Sequence, residues 1–161
     1  LMSEGNDITL PFLARHCDVF YIGGTKIGAL CGEAVVFTHN NAHRHFFSIQ
    51  KQHGAVIAKG RLIGVQFEAL FTDNLYFEIS KHAIDMAMKV RDLFRSRGYR
   101  FYLDSPSNQQ FVVMTKEQAD ALSKNIQFTY FGQTNNGDVI ARFVTSWSTT
   151  EEELAELAKY I

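Results

Sequence analysis

Two short apolar runs, Val19-Phe20-Tyr21-Ile22 and Ala34-Val35-Val36-Phe37, are unbroken by polar residues, the pattern of strands buried on both faces. The segment between them, Gly23 to Gly32, is rich in glycine and reads as a connection between two sheet elements. Ahead of the first run, Asp7 is placed to cap a short helix through Arg15, with Pro11 in the tolerated first turn. From about Asn41 to Phe71 the spacing turns helical, with a break near Gly54. Leu62, Ile63, Val65, Phe67, Leu70 and Phe71 make that stretch too apolar for a surface helix, so burial between layers or subunits is expected. From Asn74 to Arg97, Ile79, Ala83, Met86, Ala87, Val90, Leu93 and Phe94 keep helical spacing, and Gly98 supplies the stop.

Beyond Gly98 the pattern shortens. Strands are predicted at Tyr99 to Leu103, Gln110 to Met114, Ile126 to Tyr130 and Val139 to Thr145, separated by turn signals such as Ser105-Pro106 and Asn135-Asn136-Gly137. Thr115 with Gln118, and Thr149 with Glu152, have capping-box spacing and predict helix starts. The last helix shows Leu154, Leu157, Ala158 and Ile161 on one face. The whole reads as α/β, its small mixed sheet antiparallel toward the end.

Composition adds mainly exclusions. With 46% hydrophobic and 20% charged residues the chain has a globular profile, and a net charge of -1 without basic clusters argues against a nucleic-acid partner. No apolar run approaches the roughly 18 residues that span a bilayer, and Leu1 to Asp7 lacks the succession of a signal peptide. Cys17 and Cys31 sit among apolar neighbours without a zinc-ligand pattern, and read as reduced, buried thiols of a cytoplasmic protein.

The residue with most chemical promise is Lys26, in Gly23-Gly24-Thr25-Lys26-Ile27-Gly28 directly after a strand. A lysine that is desolvated or near another cation becomes a neutral nucleophile able to form an imine; flanking glycines admit a bulky ring, and Thr25 offers a hydroxyl to an anion. A solvated surface lysine is the competing reading of such a loop. A phosphate loop is excluded by spacing, since Ile27 follows the lysine. Among His39, His43 and His45 is an i, i+4 pair, but nothing completes a metal set, and no metal is expected. Glu33 suits a structural hydrogen-bond acceptor better than a catalytic acid.

The longer string Cys17-Asp18-Val19-Phe20-Tyr21-Ile22-Gly23-Gly24-Thr25-Lys26, continued by Gly28-Ala29-Leu30 and Gly32-Glu33-Ala34-Val35-Val36-Phe37, resembles the cofactor-lysine region of the pyridoxal-phosphate-dependent threonine aldolase and β-eliminating lyase family. The resemblance continues through Gly54 to Phe67, Asn108-Gln109-Gln110-Phe111 and Arg142-Phe143-Val144-Thr145-Ser146-Trp147. It implies the C-terminal portion of an aspartate aminotransferase-like α/β fold. Residues 1–71 would belong to the large cofactor-binding domain with its mainly parallel sheet, and residues 72–161 would form the small C-terminal α/β domain. By matching position, Lys26 is the lysine that carries pyridoxal 5'-phosphate, and Arg142 the arginine that holds the substrate α-carboxylate. Read without the resemblance, Arg142 would form a surface ion pair with Glu151 to Glu153.

The same resemblance implies cleavage of L-threonine or a similar β-hydroxy-α-amino acid to glycine and an aldehyde, in a homodimer or homotetramer. Lys51, His53 and Lys59 then either approach a partner subunit's active site or are ordinary surface charge. The groups that seat the cofactor's phosphate and pair with its ring nitrogen are expected upstream of Leu1. The chain alone is accordingly expected to be inactive, with apolar strand surface left uncovered. β-Elimination, transamination and a non-catalytic association module remain as alternatives.

Overall fold

The computed structural model describes all 161 residues, and they divide into two compact units: Gly5–Glu78 with Leu1, and Ile79–Ile161 with Met2–Glu4. The first unit opens with α1 (Leu10–His16), whose cap is Thr9 rather than Asp7: its hydroxyl accepts from the Phe12 N–H at 3.2 Å, and Pro11 falls in the first turn. Strands β1 (Val19–Gly23) and β2 (Glu33–Phe37) follow, paired antiparallel with Val19 opposite Phe37 and Gly23 opposite Glu33. An antiparallel pair is compatible with a place in a mainly parallel sheet.

These strands are not buried on both faces. Val19, Tyr21 and Val35 share one face and are exposed, Tyr21 at 71%, while Phe20 and Ile22 behind them are half-buried. The expected helical stretch resolves into α2 (Phe46–Gln52) and α3 (Arg61–Phe71), separated around Gly54 as anticipated. Leu70 alone of α3 is buried; Leu62 and Phe71 are exposed. Between α3 and the next helix, Asp73 and Asn74 both take positive φ, a conformation that Asx residues tolerate.

Helix α4 (Leu75–Ser96) runs across the boundary between the units, and its Ala83, Met86, Ala87, Val90 and Phe94 are buried. In the second unit, β3 (Arg100–Phe101), β4 (Gln109–Met114), β5 (Thr129–Gln133) and β6 (Val139–Val144) form one antiparallel sheet in the order β3-β4-β6-β5. Helix α5 (Lys116–Leu122) starts with the predicted Thr115–Gln118 capping box. Helix α6 (Glu151–Leu157) starts one residue later than predicted, with Thr150 and Glu153 as its box. Thr149 is otherwise engaged, because its hydroxyl accepts from the Ser146 N–H at 3.0 Å. Val90, Phe94, Val112, Met114, Ala141, Phe143 and Leu157 pack into one core, with Phe94 fully buried and tilted on Phe143 at 4.7 Å.

Candidate active site

Lys26 lies on a single 3-10 turn, Thr25–Ile27, that begins as soon as β1 ends. The Gly24 carbonyl accepts from the N–H groups of both Ile27 (3.1 Å) and Ala29 (3.0 Å), which closes the turn. Ile27 points inward and is buried, so Thr25 and Lys26 are held outward and exposed. Lys26 takes part in none of the chain's ion pairs, which leaves its amine without a carboxylate competitor.

The loop is clamped by α3. The Leu30 N–H donates to Gln66 Oε1 at 2.7 Å, and Gln66 Nε2 donates back to the Leu62 carbonyl at 2.8 Å, fixing the amide. A side chain at Gly24 would put its Cβ 2.8 Å from Ala29 Cβ and 3.0 Å from Phe67 Cζ. One at Gly32, where φ is +90°, would meet Ile63 Cγ2 at 2.8 Å. Two glycines thus let the loop lie directly on Ile63 and Phe67, one helical face four residues apart.

Arg142 sits on β6, opposite Phe111 on β4 and Thr129 on β5. It is half-buried; its Nη1 donates to Gln109 Oε1 at 3.4 Å, and its Nε is buried without a partner. The alternative ion pair with the start of α6 is not formed: Glu151 pairs with Lys89, and a Glu153 carboxylate oxygen accepts from the Thr150 N–H at 2.9 Å. Arg142 also borders an open cavity of about 690 Å³, shared with Val90, Ile126, Thr129, Ser148 and Glu153. A guanidinium with an unsatisfied buried donor and no ion pair to a carboxylate can take a planar anion.

Other sequence candidates separate from this chemistry. His39, His43 and His45 precede α2, so the expected i, i+4 pair is not on a helix; His39 Nδ1 lies 2.7 Å from the Thr38 hydroxyl, and no group of three potential metal ligands forms. Lys51 and His53 are exposed at the end of α2, and Lys59, also exposed, holds φ at +61° just before α3. Glu33 is exposed. Cys31 is exposed and Cys17 half-buried, a correction to the buried thiols expected, because the strands around them are open on one side. Burial raises the Tyr76 hydroxyl pKa above its ordinary value. No helix is long and apolar enough to cross a membrane.

The residues present fit pyridoxal 5'-phosphate: an uncommitted lysine amine beside a hydroxyl, with open space at Gly23, where an added Cβ meets nothing within 4 Å. No family model matches the chain. It is 29% identical over 142 residues to the low specificity L-threonine aldolase of Pseudomonas sp. (strain NCIMB 10558), covering 88% of this chain and 40% of that protein. To the enzyme of the same name in Pseudomonas aeruginosa it is 28% identical over 147 residues, covering 89% and 41%. The structure superposes on Leishmania major threonine aldolase with a TM-score of 0.92 and 35% identity, over 98% of this chain and 46% of that one. Sphingomonas wittichii serine palmitoyltransferase matches at a TM-score of 0.63 and 13% identity, over 92% and 39%, a likeness of fold alone. By sequence and by fold this chain is a relative of the threonine aldolases, spanning 40 to 41% of the length of its sequence relatives and corresponding to the C-terminal part of their aspartate aminotransferase-like architecture.

Proposed function

We propose that the chain supplies the cofactor-holding lysine and the carboxylate-holding arginine of a pyridoxal 5'-phosphate-dependent aldolase. The substrate is L-threonine or a similar β-hydroxy-α-amino acid, and the products are glycine and an aldehyde. The observation that carries the reading is the setting of Lys26, an unpaired amine on a glycine-flanked turn that follows a strand and is clamped by α3. The names of the relatives support the aldolase class.

Lys26 would hold the cofactor through its Nζ, and Thr25 would offer a hydroxyl toward an anionic group. When bound, the cofactor supplies an electron sink for the pair left on the α-carbon as its bond to the β-carbon breaks. Arg142 would hold the α-carboxylate with two parallel N–H donors, which orients the amino acid and selects for a planar anion. The substrate's β-hydroxyl must lose its proton, and none of the residues described is assigned that role. β-Elimination and transamination would use the same two residues; assaying glycine, ammonia and keto-acid release separates the three.

Reduction with borohydride in the presence of the cofactor, followed by peptide mapping, tests the lysine. The expected label is on Lys26 and is absent from Lys26→Ala. A label found mainly on Lys51 or Lys59 would overturn the assignment. A second reading, that the chain serves as an association module, draws on the exposed row Val19, Tyr21 and Val35. In either reading the expected assembly is a homodimer or homotetramer of the whole enzyme, and the chain by itself does not cleave threonine. Cleavage at rates comparable to a full-length relative would refute that.

A further inference from the structure

Gln109 is the only side chain that holds the Arg142 guanidinium by a hydrogen bond, and its chemistry differs from that around most arginines of the second unit. Arg91, Arg95 and Arg100 each meet a carboxylate, on Asp92, Asp104 and Asp138 respectively. Arg97 donates to the Ala158 carbonyl at 3.4 Å. Arg142 instead donates to the neutral side-chain amide of Gln109, also at 3.4 Å.

The sheet register makes this contact. Arg142 pairs with Phe111 and Gln109 with Val144, so Gln109 and Arg142 are diagonal neighbours on one face of the β4–β6 ladder. The Gln109 backbone is pinned in turn, its N–H donating to the Ser107 hydroxyl at 3.2 Å. A carboxylate at position 109 would neutralise the guanidinium and occupy the fork that a ligand needs. An amide oxygen takes one donor, fixes the plane and leaves the charge uncompensated, with Nε still unpartnered.

We infer that Gln109 is a positioning residue: it orients Arg142 as a carboxylate receptor while leaving its charge available to the ligand. This rests on the carboxylate-binding reading of Arg142 above, and it adds a second residue that sets how strongly a carboxylate is held. Gln109 acts through Arg142 and is not assigned contact with the reacting atoms.

The test is a titration of the whole chain with sodium acetate, at ionic strength held constant with sodium chloride, following the Arg142 Nε–H signal by nitrogen-15 NMR. Loss of that signal in Arg142→Lys assigns it. In the wild type the signal should move with acetate. In Gln109→Glu it should already be displaced without acetate, and apparent acetate affinity should fall about tenfold, equivalent to about 1.4 kcal/mol. Gln109→Met keeps the volume but replaces the amide oxygen with a thioether, a much weaker acceptor. It should weaken acetate binding with an unchanged unfolding midpoint, which a packing role for Gln109 would not produce. If the wild-type signal responds and both Gln109 variants bind acetate as the wild type does, the positioning role is refuted while the Arg142 reading stands. If the wild-type signal ignores acetate, the Arg142 reading falls and takes this inference with it.

Discussion

Adding one methyl group at Gly24 should disturb the Lys26 turn by steric contact alone. Gly24 has φ −111° and ψ −32°, which alanine adopts without strain, so backbone preference does not enter. The new Cβ would lie 2.8 Å from Ala29 Cβ, 3.0 Å from Phe67 Cζ and 3.2 Å from the Gly32 carbonyl oxygen. The Phe67 ring tip can yield, but the Ala29 methyl and the Gly32 oxygen are fixed by the loop itself, so the turn at Gly24 must distort. Overpacking of this kind costs about 1–3 kcal/mol, and about 2 kcal/mol corresponds to roughly 30-fold in an opening equilibrium. Hydrogen exchange of the Ile27 and Ala29 amides reports it, because both donate to the Gly24 carbonyl. Gly23→Ala is the control: its added Cβ meets nothing within 4 Å, and exchange should change little. Borohydride labelling of Lys26 relative to Lys51 should fall in Gly24→Ala only. Unaltered exchange at Ile27 and Ala29, or equal acceleration by the control, would refute the account of the turn as closed too tightly at Gly24 to admit a side chain.

Three further outcomes follow from the second unit. Phe94→Ala empties a fully buried position between Tyr99 and Phe143 and should cost about 3–5 kcal/mol in urea unfolding. Thr150→Ala should cost about 1 kcal/mol and speed exchange of the Glu153 amide, whereas Thr149→Ala should leave that amide protected. Glu117 is held below its ordinary value of 4.5, first by its own backbone N–H and then by the Thr115 hydroxyl. Because the folded value lies below the unfolded one, the stabilisation is present above the ordinary value and lost as pH falls through the lowered one. Glu117→Gln should flatten that acid limb of a stability-versus-pH titration; a limb of unchanged slope would count against the contact.

How far the chain was legible depended on how local the determining contacts are. Helix α4, expected at Asn74 to Arg97 and found at Leu75–Ser96, is written in its own period, and the Thr115–Gln118 box in four consecutive residues. The start of α6 was ambiguous for a physical reason: in Thr149-Thr150-Glu151-Glu152-Glu153 two registers satisfy the same spacing, and the Ser146 N–H decides by engaging Thr149. Asp7 looked like a cap because acidic N-caps are common, but the helix begins two residues later than that would require, at Leu10. The runs at Val19 and Ala34 read as doubly buried because period analysis cannot know whether a covering layer is present. Lys26 was visible from its glycines, whereas its clamp by Gln66 comes from 36 residues beyond Leu30. The Arg142 partner Gln109 depends on strand register across 33 residues, which no local spacing encodes.

The two units differ in how much apolar material they close over, and this decides what kind of measurement can test each residue. Of the 17 buried apolar residues, 15 belong to the second unit and only Ile27 and Leu70 to the first. A four-stranded sheet with helices over one core unfolds cooperatively, so a change at Phe94 or Thr150 should appear in a global transition. A two-stranded sheet with Tyr21 and Val35 exposed has little core to couple it to a global transition, and its loop is held by the few contacts that Ile63, Gln66 and Phe67 make. A change at Gly24 can therefore loosen Lys26 while the main unfolding midpoint stays where it was. For the same reason, an unaltered midpoint in Lys26→Ala says nothing about the turn. The amides of Ile27 and Ala29 must be followed directly, and their protection should be the first property to respond when any partner covers the Val19–Tyr21–Val35 row.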